Sequence, residues 1–175
     1  MLQGNTVNLR VMEKEDLAFI KEWVNDRRFA GEYLPLTQET VGELETQYER
    51  TLGNEGKWFF IEKKDGTKIG YAAHYLARRQ HEIGYGVLPV ERGKGYGTEA
   101  ATILVDYLFL TKNIVRIQAD ANVENAASRR VLEKVGFTQE GVLRKVFFVQ
   151  GAWQDAVLYS IMRDEWKTPK ILPKK

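Results

Sequence analysis

A chain of 175 residues with 43% hydrophobic content is long enough for one well-cored domain and too short for two. Its 26 Lys and Arg stand against 24 Asp and Glu, a net charge of +2, which is too balanced for a general nucleic-acid or membrane surface and points to a small or local partner. The absence of cysteine excludes disulfides, thiolate zinc sites and a cysteine nucleophile. No metal site, signal peptide, membrane-spanning run or lipidation motif is read, so the expectation is a cytoplasmic chain, monomeric or homodimeric.

From Thr6 to Met12 the apolar residues Val7, Leu9 and Val11 alternate with Asn8 and Arg10, the period of a strand. Between Glu13 and Asp26 the period changes to that of a helix, with Leu17, Ile20, Trp23 and Val24 on one face. Residues 27–37 are irregular; Tyr33 stands there as a candidate pocket wall, although a plain surface loop reads equally well. Val41, Leu44, Tyr48 and Leu52 mark a second helix that ends near Gly53, and its Glu39, Glu43, Glu45 and Glu49 are either an attraction for a polyamine or an ordinary polar face. Lys57 to Lys63 and Thr67 to Leu76 are strands joined by Asp65-Gly66, a strong hairpin signal, and Arg78 to His81 make a further turn before a strand from Glu82 to Leu88. Gly84 and Gly86 inside that strand predict a bulge or a close approach to the backbone. A helix spans 97–111, a strand 114–121 and a short helix 125–135 closed by Gly136; a strand opens at Phe137, and a hairpin of 142–149 with 153–162 precedes a polar tail over 166–175. This order predicts an α/β (α+β) domain, 1–175, with a mixed, mostly antiparallel central sheet and helices on both faces.

Val90 to Glu99 joins a strand to a helix through Arg92, Gly93, Lys94, Gly95, Tyr96, Gly97 and Thr98. Glycines at every second position bring backbone N–H groups close to a ligand, the helix N-terminus adds unpaired donors, and Arg92 and Lys94 reinforce the positive sign, so the loop is suited to an anion. Neither the dinucleotide fingerprint nor the P-loop fits these spacings. The pattern Arg92-x-x-Gly95-x-Gly97 resembles the pyrophosphate-binding loop of the GNAT superfamily of acyl-CoA-dependent N-acetyltransferases. Asn125-x-x-Ser128 followed by Glu133-Lys134-Val135-Gly136-Phe137 is similar to the second signature of that superfamily. With Glu140-Gly141, Gly151, Asp155 and Glu165-Trp166, it resembles the RimJ/RimL-type branch, which acetylates ribosomal proteins, and the related spermidine acetyltransferases.

The resemblance implies a splayed central strand pair and acetyl-CoA as cosubstrate. Val87 and Leu88, with the Gly84 to Leu88 strand, would align the pantetheine arm, while residues 92–98 hold the pyrophosphate. Many relatives carry a tyrosine seven residues after the asparagine to protonate the departing thiolate; here that position is Leu132. By resemblance the role passes to Ser128, with Asn125 bonding the arm; from the residues alone, Ser128 also reads as a small helix-face residue and Asn125 as a helix N-cap. Glu82 is the candidate base, beside its reading as a solvated strand-end carboxylate. His74 is a second candidate at the acceptor, beside its reading as a hydrogen-bonded histidine within the sheet, and Tyr85 joins Tyr33 and His74 as a candidate substrate contact. An α-amine acceptor with a pKa of about 7.7 to 8.0 is easier to deprotonate than a lysine-like amine near about 10.4, by about 3 to 4 kcal/mol. A protein N-terminus is therefore the leading acceptor. Small amines (a polyamine, an aminoglycoside, an amino sugar) are the alternative within the class, and a non-catalytic acyl-CoA-binding sensor is the alternative outside it.

Overall fold

The computed structural model describes residues 1–167 and 169–171. Eight strands form one sheet: β1 (Leu2–Gln3), β2 (Val7–Val11), β3 (Lys57–Lys63), β4 (Lys68–Ala77), β5 (Gln80–Val87), β6 (Arg116–Asn122), β7 (Thr138–Val149) and β8 (Ala152–Met162). Their spatial order is β1-β2-β3-β4-β5-β6-β8-β7, antiparallel throughout except at β5 and β6. The helices are α1 (Leu17–Val24), α2 (Arg27–Ala30), α3 (Val41–Gly53), α4 (Tyr96–Thr111) and α5 (Ala126–Val135). None of the described helices is long and apolar enough to cross a membrane.

The sheet is buried on both faces. On one, α4 and α5 pack against Leu9, Phe59, Ala72 and Ile117 through Leu104, Leu108 and Leu132. On the other, α1 and α3 cover Met12 and Phe60 with Leu17, Ile20 and Leu44, a smaller cluster that leaves part of the sheet uncovered. Such a two-layered cover suits the continuous apolar run Trp58 to Ile61 of β3, which sends Phe59 and Ile61 to one face and Phe60 to the other.

Several elements depart from the sequence reading. The helix expected over 13–26 divides into a short 3-10 turn at Lys14–Asp16 and α1, because the Asp16 carboxylate turns back to accept from the Glu13 N–H at 2.9 Å. Helix α2 starts where irregular chain was expected, since the Asp26 carboxylate accepts the Arg28 N–H at 2.8 Å and caps a new turn. The turn between β4 and β5 shrinks to Arg78-Arg79, both at positive φ (51° and 61°), so Gln80 and His81 join the strand. That is a backbone twist suited to a two-residue hairpin. No bulge appears at Gly84 or Gly86, as β5 runs in continuous register with β4 from Gln80 to Val87. Gly86 serves close approach instead: a Cβ there would stand 2.9 Å from the Tyr71 ring and 3.2 Å from Phe29, whereas one on Gly84 would meet nothing nearer than 3.9 Å. The expected strand at Phe137 and the first hairpin strand are one element, β7, with register shifts at Gln139/Gly141 and Leu143/Phe147.

The tail is less polar in its setting than in its composition. The Trp166 indole N–H donates to the Asp106 carboxylate at 2.8 Å and the ring lies 5.3 Å from Phe109, while the Lys170 N–H donates to the same carboxylate at 2.6 Å. Asp106 is buried and fully occupied as an acceptor, which makes its burial tolerable. Pro173 lies outside the described residues.

Candidate active site

The glycine loop delivers the chain from β5 into α4. Gly93 and Gly95 adopt positive φ (78° and 88°), and a Cβ on either would meet nothing within 4 Å, so the backbone is bare toward the open side. Among the described residues, the N–H groups from Gly93 to Thr98 donate to no protein acceptor, the first internal helix bond being Glu99 N–H to Gly95 at 3.1 Å. This is an arc of orphan donors at the positive end of a long helix. The two loop cations are engaged elsewhere. The Arg92 guanidinium donates to the carbonyls of Val87 at 3.0 Å and Phe29 at 3.1 Å, and Lys94 pairs with Glu91 at 2.8 Å. Arg92 thus braces the loop against β5 and α2, and the anion-binding capacity rests on backbone N–H groups. Beside the loop a hollow of about 350 Å³ is lined by Gly95, Thr98, Glu99, Lys134 and Lys170, two cations to one carboxylate.

Strands β5 and β6 pair in parallel only at His81 with Ile117 and Glu82 with Gln118. Beyond Glu82 they separate, so the β6-facing edge of Ile83 to Val87 is left without a ladder partner. Helix α5 begins across this opening. Asn125 caps it, its side chain accepting the Ser128 N–H at 3.0 Å, and Ser128 faces Tyr85, whose hydroxyl lies 3.2 Å from both the Ser128 Oγ and its carbonyl. Burial pushes the Tyr85 phenol up to about 12, so it stands as a neutral hydroxyl spanning the gap between strand and helix. Leu132, in the position where many relatives have tyrosine, is core: it is packed between α4 and the sheet and has no open side.

Glu82 is not a solvated strand end. It is 4% exposed, and its carboxylate accepts from Gln118 at 2.9 Å, Arg78 at 2.9 Å and the Tyr75 hydroxyl at 3.1 Å. Burial raises its pKa and the nearby Asp120 charge adds to this, with the Gln118 hydrogen bond, the Arg78 charge and the Tyr75 hydrogen bond opposing. A buried carboxylate whose pKa is raised is a better proton acceptor than a solvated one.

On the α1/α3 side of the sheet lies a cleft of about 650 Å³, with Tyr71, Ala73 and Tyr75 of β4 as its floor and Ile20, Leu44 and Arg50 among its walls. Successive residues of a strand face opposite ways, so His74 points away from this cleft. It is 0% exposed, its ring 5.8 Å from Tyr107 of α4 and 6.3 Å from Phe59, and neither nitrogen has a hydrogen-bond partner. The structure therefore separates His74 from Glu82 and the cleft, and also from the hydrogen-bonded sheet histidine that the sequence suggested. Tyr33 follows α2, partly buried, in the connection beside Phe29 and thus near the braced end of the loop. Tyr71 and Tyr75 were missed by motif reading; the period-2 pattern of Thr67 to Leu76, opposite two strand glycines, is the signal that finds them.

The orphan-donor loop, the parted strands and the buried carboxylate at their vertex together define an acyl-CoA-dependent transferase. The acetyltransferase (GNAT) domain profile matches residues 6–138, and the chain belongs to this family. It is 27% identical to the spermidine N(1)-acetyltransferase of Escherichia coli (strain K12), across 97% of this chain and 95% of that protein. The structure resembles that of spermidine N-acetyltransferase from Vibrio cholerae in complex with CoA and spermine, with a TM-score of 0.80, 28% identity, and coverage of 91% of this chain and 97% of that one. Ribosomal-protein-S5-alanine acetyltransferase from Vibrio fischeri shares the fold at a TM-score of 0.80 and 23% identity, covering 95% and 98% of the two chains. The protein is an acetyl-CoA-dependent N-acetyltransferase.

Proposed function

We propose that this N-acetyltransferase acts on the α-amine of a protein or peptide N-terminus. The observation that carries this reading is the chemistry of the cleft: its lining residues are apolar or neutral apart from Arg50, and no carboxylate is among them. A polyamine would bring further cations into a site whose one charged lining residue is itself a cation, whereas an N-terminal residue brings a single amine and an apolar or small side chain. The acidic residues of the second helix do not supply the missing carboxylates. Glu43 closes the capping box with Thr40, and Glu45 and Glu49 pair with Lys14.

In this reading, the N–H groups of Gly93 to Thr98 hold the pyrophosphate, Val87 and Leu88 run beside the arm, and Asn125 bonds to it. Acetyl-CoA supplies an activated acyl group: an N–C bond forms as the C–S bond breaks, leaving a thiolate. Ser128 stabilises that thiolate through its hydroxyl, and Glu82 takes the proton that the amine gives up. Fixing amine and thioester on one rigid sheet converts a bimolecular encounter into an oriented one. The lower pKa of an α-amine, worth about 3 to 4 kcal/mol against a lysine-like amine, suits a single modestly tuned carboxylate.

A polyamine acceptor is the second reading, favoured by the names of the Escherichia coli and Vibrio cholerae relatives. Free-thiol release from acetyl-CoA, measured with Ala- and Ser-initiated peptides, spermidine and an aminoglycoside, decides between them. Peptides should give the highest kcat/KM. A higher value with spermidine would overturn the α-amine assignment.

A further inference from the structure

The geometry points to Tyr75 as the catalytic residue that carries the acceptor's proton from the cleft to Glu82. This rests on the role given to Glu82 under the proposed function. Tyr75 lines the acceptor cleft, whereas Glu82 does not. The Tyr75 hydroxyl donates to Glu82 Oε1 at 3.1 Å, so the residue that lines the cleft is also one that touches the carboxylate. On the neighbouring strand, Gly84 leaves room at that point: a Cβ there would lie 3.9 Å from the Tyr75 ring and from its hydroxyl oxygen. Gly84 is also where β5 has just parted from β6, so its backbone lies at the opening and pairs with Ala73, a residue of the cleft floor. A nucleophilic nitrogen entering beside Gly84 therefore meets the Tyr75 oxygen before it can meet the carboxylate.

The transfer balances without a charged tyrosine. As the N–C bond forms, the nitrogen's proton passes to Tyr75 Oη while the hydroxyl proton of Tyr75 passes to Glu82 Oε1. Tyrosine ends as it began, and Glu82 ends protonated. Burial, with the Glu82 charge beside it, holds the Tyr75 phenol well above its usual range, so tyrosinate is not a resting form and the two transfers are concerted. Glu82 Oε2 remains bonded to Gln118 and to Arg78, whose guanidinium also reaches Asp120 at 2.9 Å on the partly exposed rim. That rim is where the proton returns to solvent.

Tyr75→Phe keeps the ring that packs against Gly84 and removes only the hydroxyl. We expect a folded variant whose acetyl-CoA affinity by calorimetry is unchanged and whose kcat/KM for the acceptor falls about a hundredfold or more. The pH at which the Glu82 carboxylate titrates, followed by its infrared band, should rise, because a hydrogen bond to the charged form is lost. Glu82→Gln should lose at least as much rate, and the double variant should be no slower than Glu82→Gln alone, because both residues handle one proton. Full turnover in Tyr75→Phe, or losses that multiply in the double variant, would overturn the relay while leaving Glu82 as the base. Full turnover in Glu82→Gln would remove the base itself, and the relay with it.

Discussion

The two faces of the sheet are built on opposite principles. The α4/α5 face is continuous core, and the part proposed to hold the cosubstrate is backbone: orphan N–H groups, positive-φ glycines and a strand edge freed by splaying. The α1/α3 face is a partial cover over an aromatic floor, and the part proposed to act is side chains: Tyr71, Tyr75 and the carboxylate behind them. Neighbours on β4 show the contrast at one residue's remove, with His74 sealed under α4 and Tyr75 facing the cleft. A cosubstrate that every turnover shares can be held by backbone, which any sequence supplies once the turns are right. An acceptor has to be told from other amines, and that takes side chains.

The comparison breaks most sharply at Gly95. Its φ of 88° is a conformation that a β-branched residue rarely adopts, and an added side chain would project into the open space over the orphan donors. Gly95→Val should weaken acetyl-CoA binding roughly a hundredfold, about 2.7 kcal/mol, with acceptor binding little changed. Calorimetry measures it directly. In the wild type, acetyl-CoA at 100 times its dissociation constant should add about 2.7 kcal/mol to stability, a gain the variant should largely lose at the same concentration. Gly95→Asn, which tolerates positive φ, separates strain from crowding. If Gly95→Val binds acetyl-CoA as the wild type does, the backbone is not the binding element.

The next test concerns Ser128, the side chain proposed to stabilise the departing thiolate. Ser128→Ala should lower kcat and kcat/KM together by about ten- to hundredfold, since a hydrogen bond to sulfur strengthens as charge develops on the thiolate, an effect of about 1.5 to 3 kcal/mol. Acetyl-CoA affinity should change far less. Undiminished kcat with chemistry rate-limiting would assign thiolate protonation to water. Leu132→Tyr offers no rescue, because Leu132 is 1% exposed and a larger polar residue there would overpack the core between α4 and the sheet.

What the sequence disclosed follows the same division. The cosubstrate loop and the α5 cap are local in the chain, so spacing alone exposes them: glycines two apart, and an asparagine followed at the third position by serine. The strand order was legible because hairpin turns such as Asp65-Gly66 join neighbours in sequence. The cleft is assembled from residues far apart, Met12, Leu44 and Tyr75 among them, and no spacing reports which side chains a fold brings together. Glu82 was placed correctly on its strand, yet its burial comes from Gln118, Arg78 and Tyr75, two of them reached only through a hairpin turn and a crossover. The positive sign of Arg92 is legible in the sequence, whereas its two partners, the carbonyls at positions 29 and 87, are not.

The smallest effect expected comes from the sealed side of β4. His74 has no hydrogen-bond partner, and burial, with Lys112 and His81 adding to it, depresses its pKa from 6.5 to about 4. A histidine depressed in the folded state binds its proton more readily when unfolded, so the unfolded chain holds more protons between these two values and stability falls as pH falls through that window. From pH 7 to pH 5 the loss should be about 2 kcal/mol, at 1.36 kcal/mol per pH unit where the window is fully open. Urea unfolding at a series of pH values reads this as a slope, and His74→Leu, of similar volume and without a titrating group, should flatten it. Acetyl transfer by His74→Leu at pH 7 should remain near the wild-type rate, because the ring faces α4 and not the cleft. A His74→Leu protein that folds at pH 7 but loses most of its turnover would place His74 in the chemistry and break the division between the two faces.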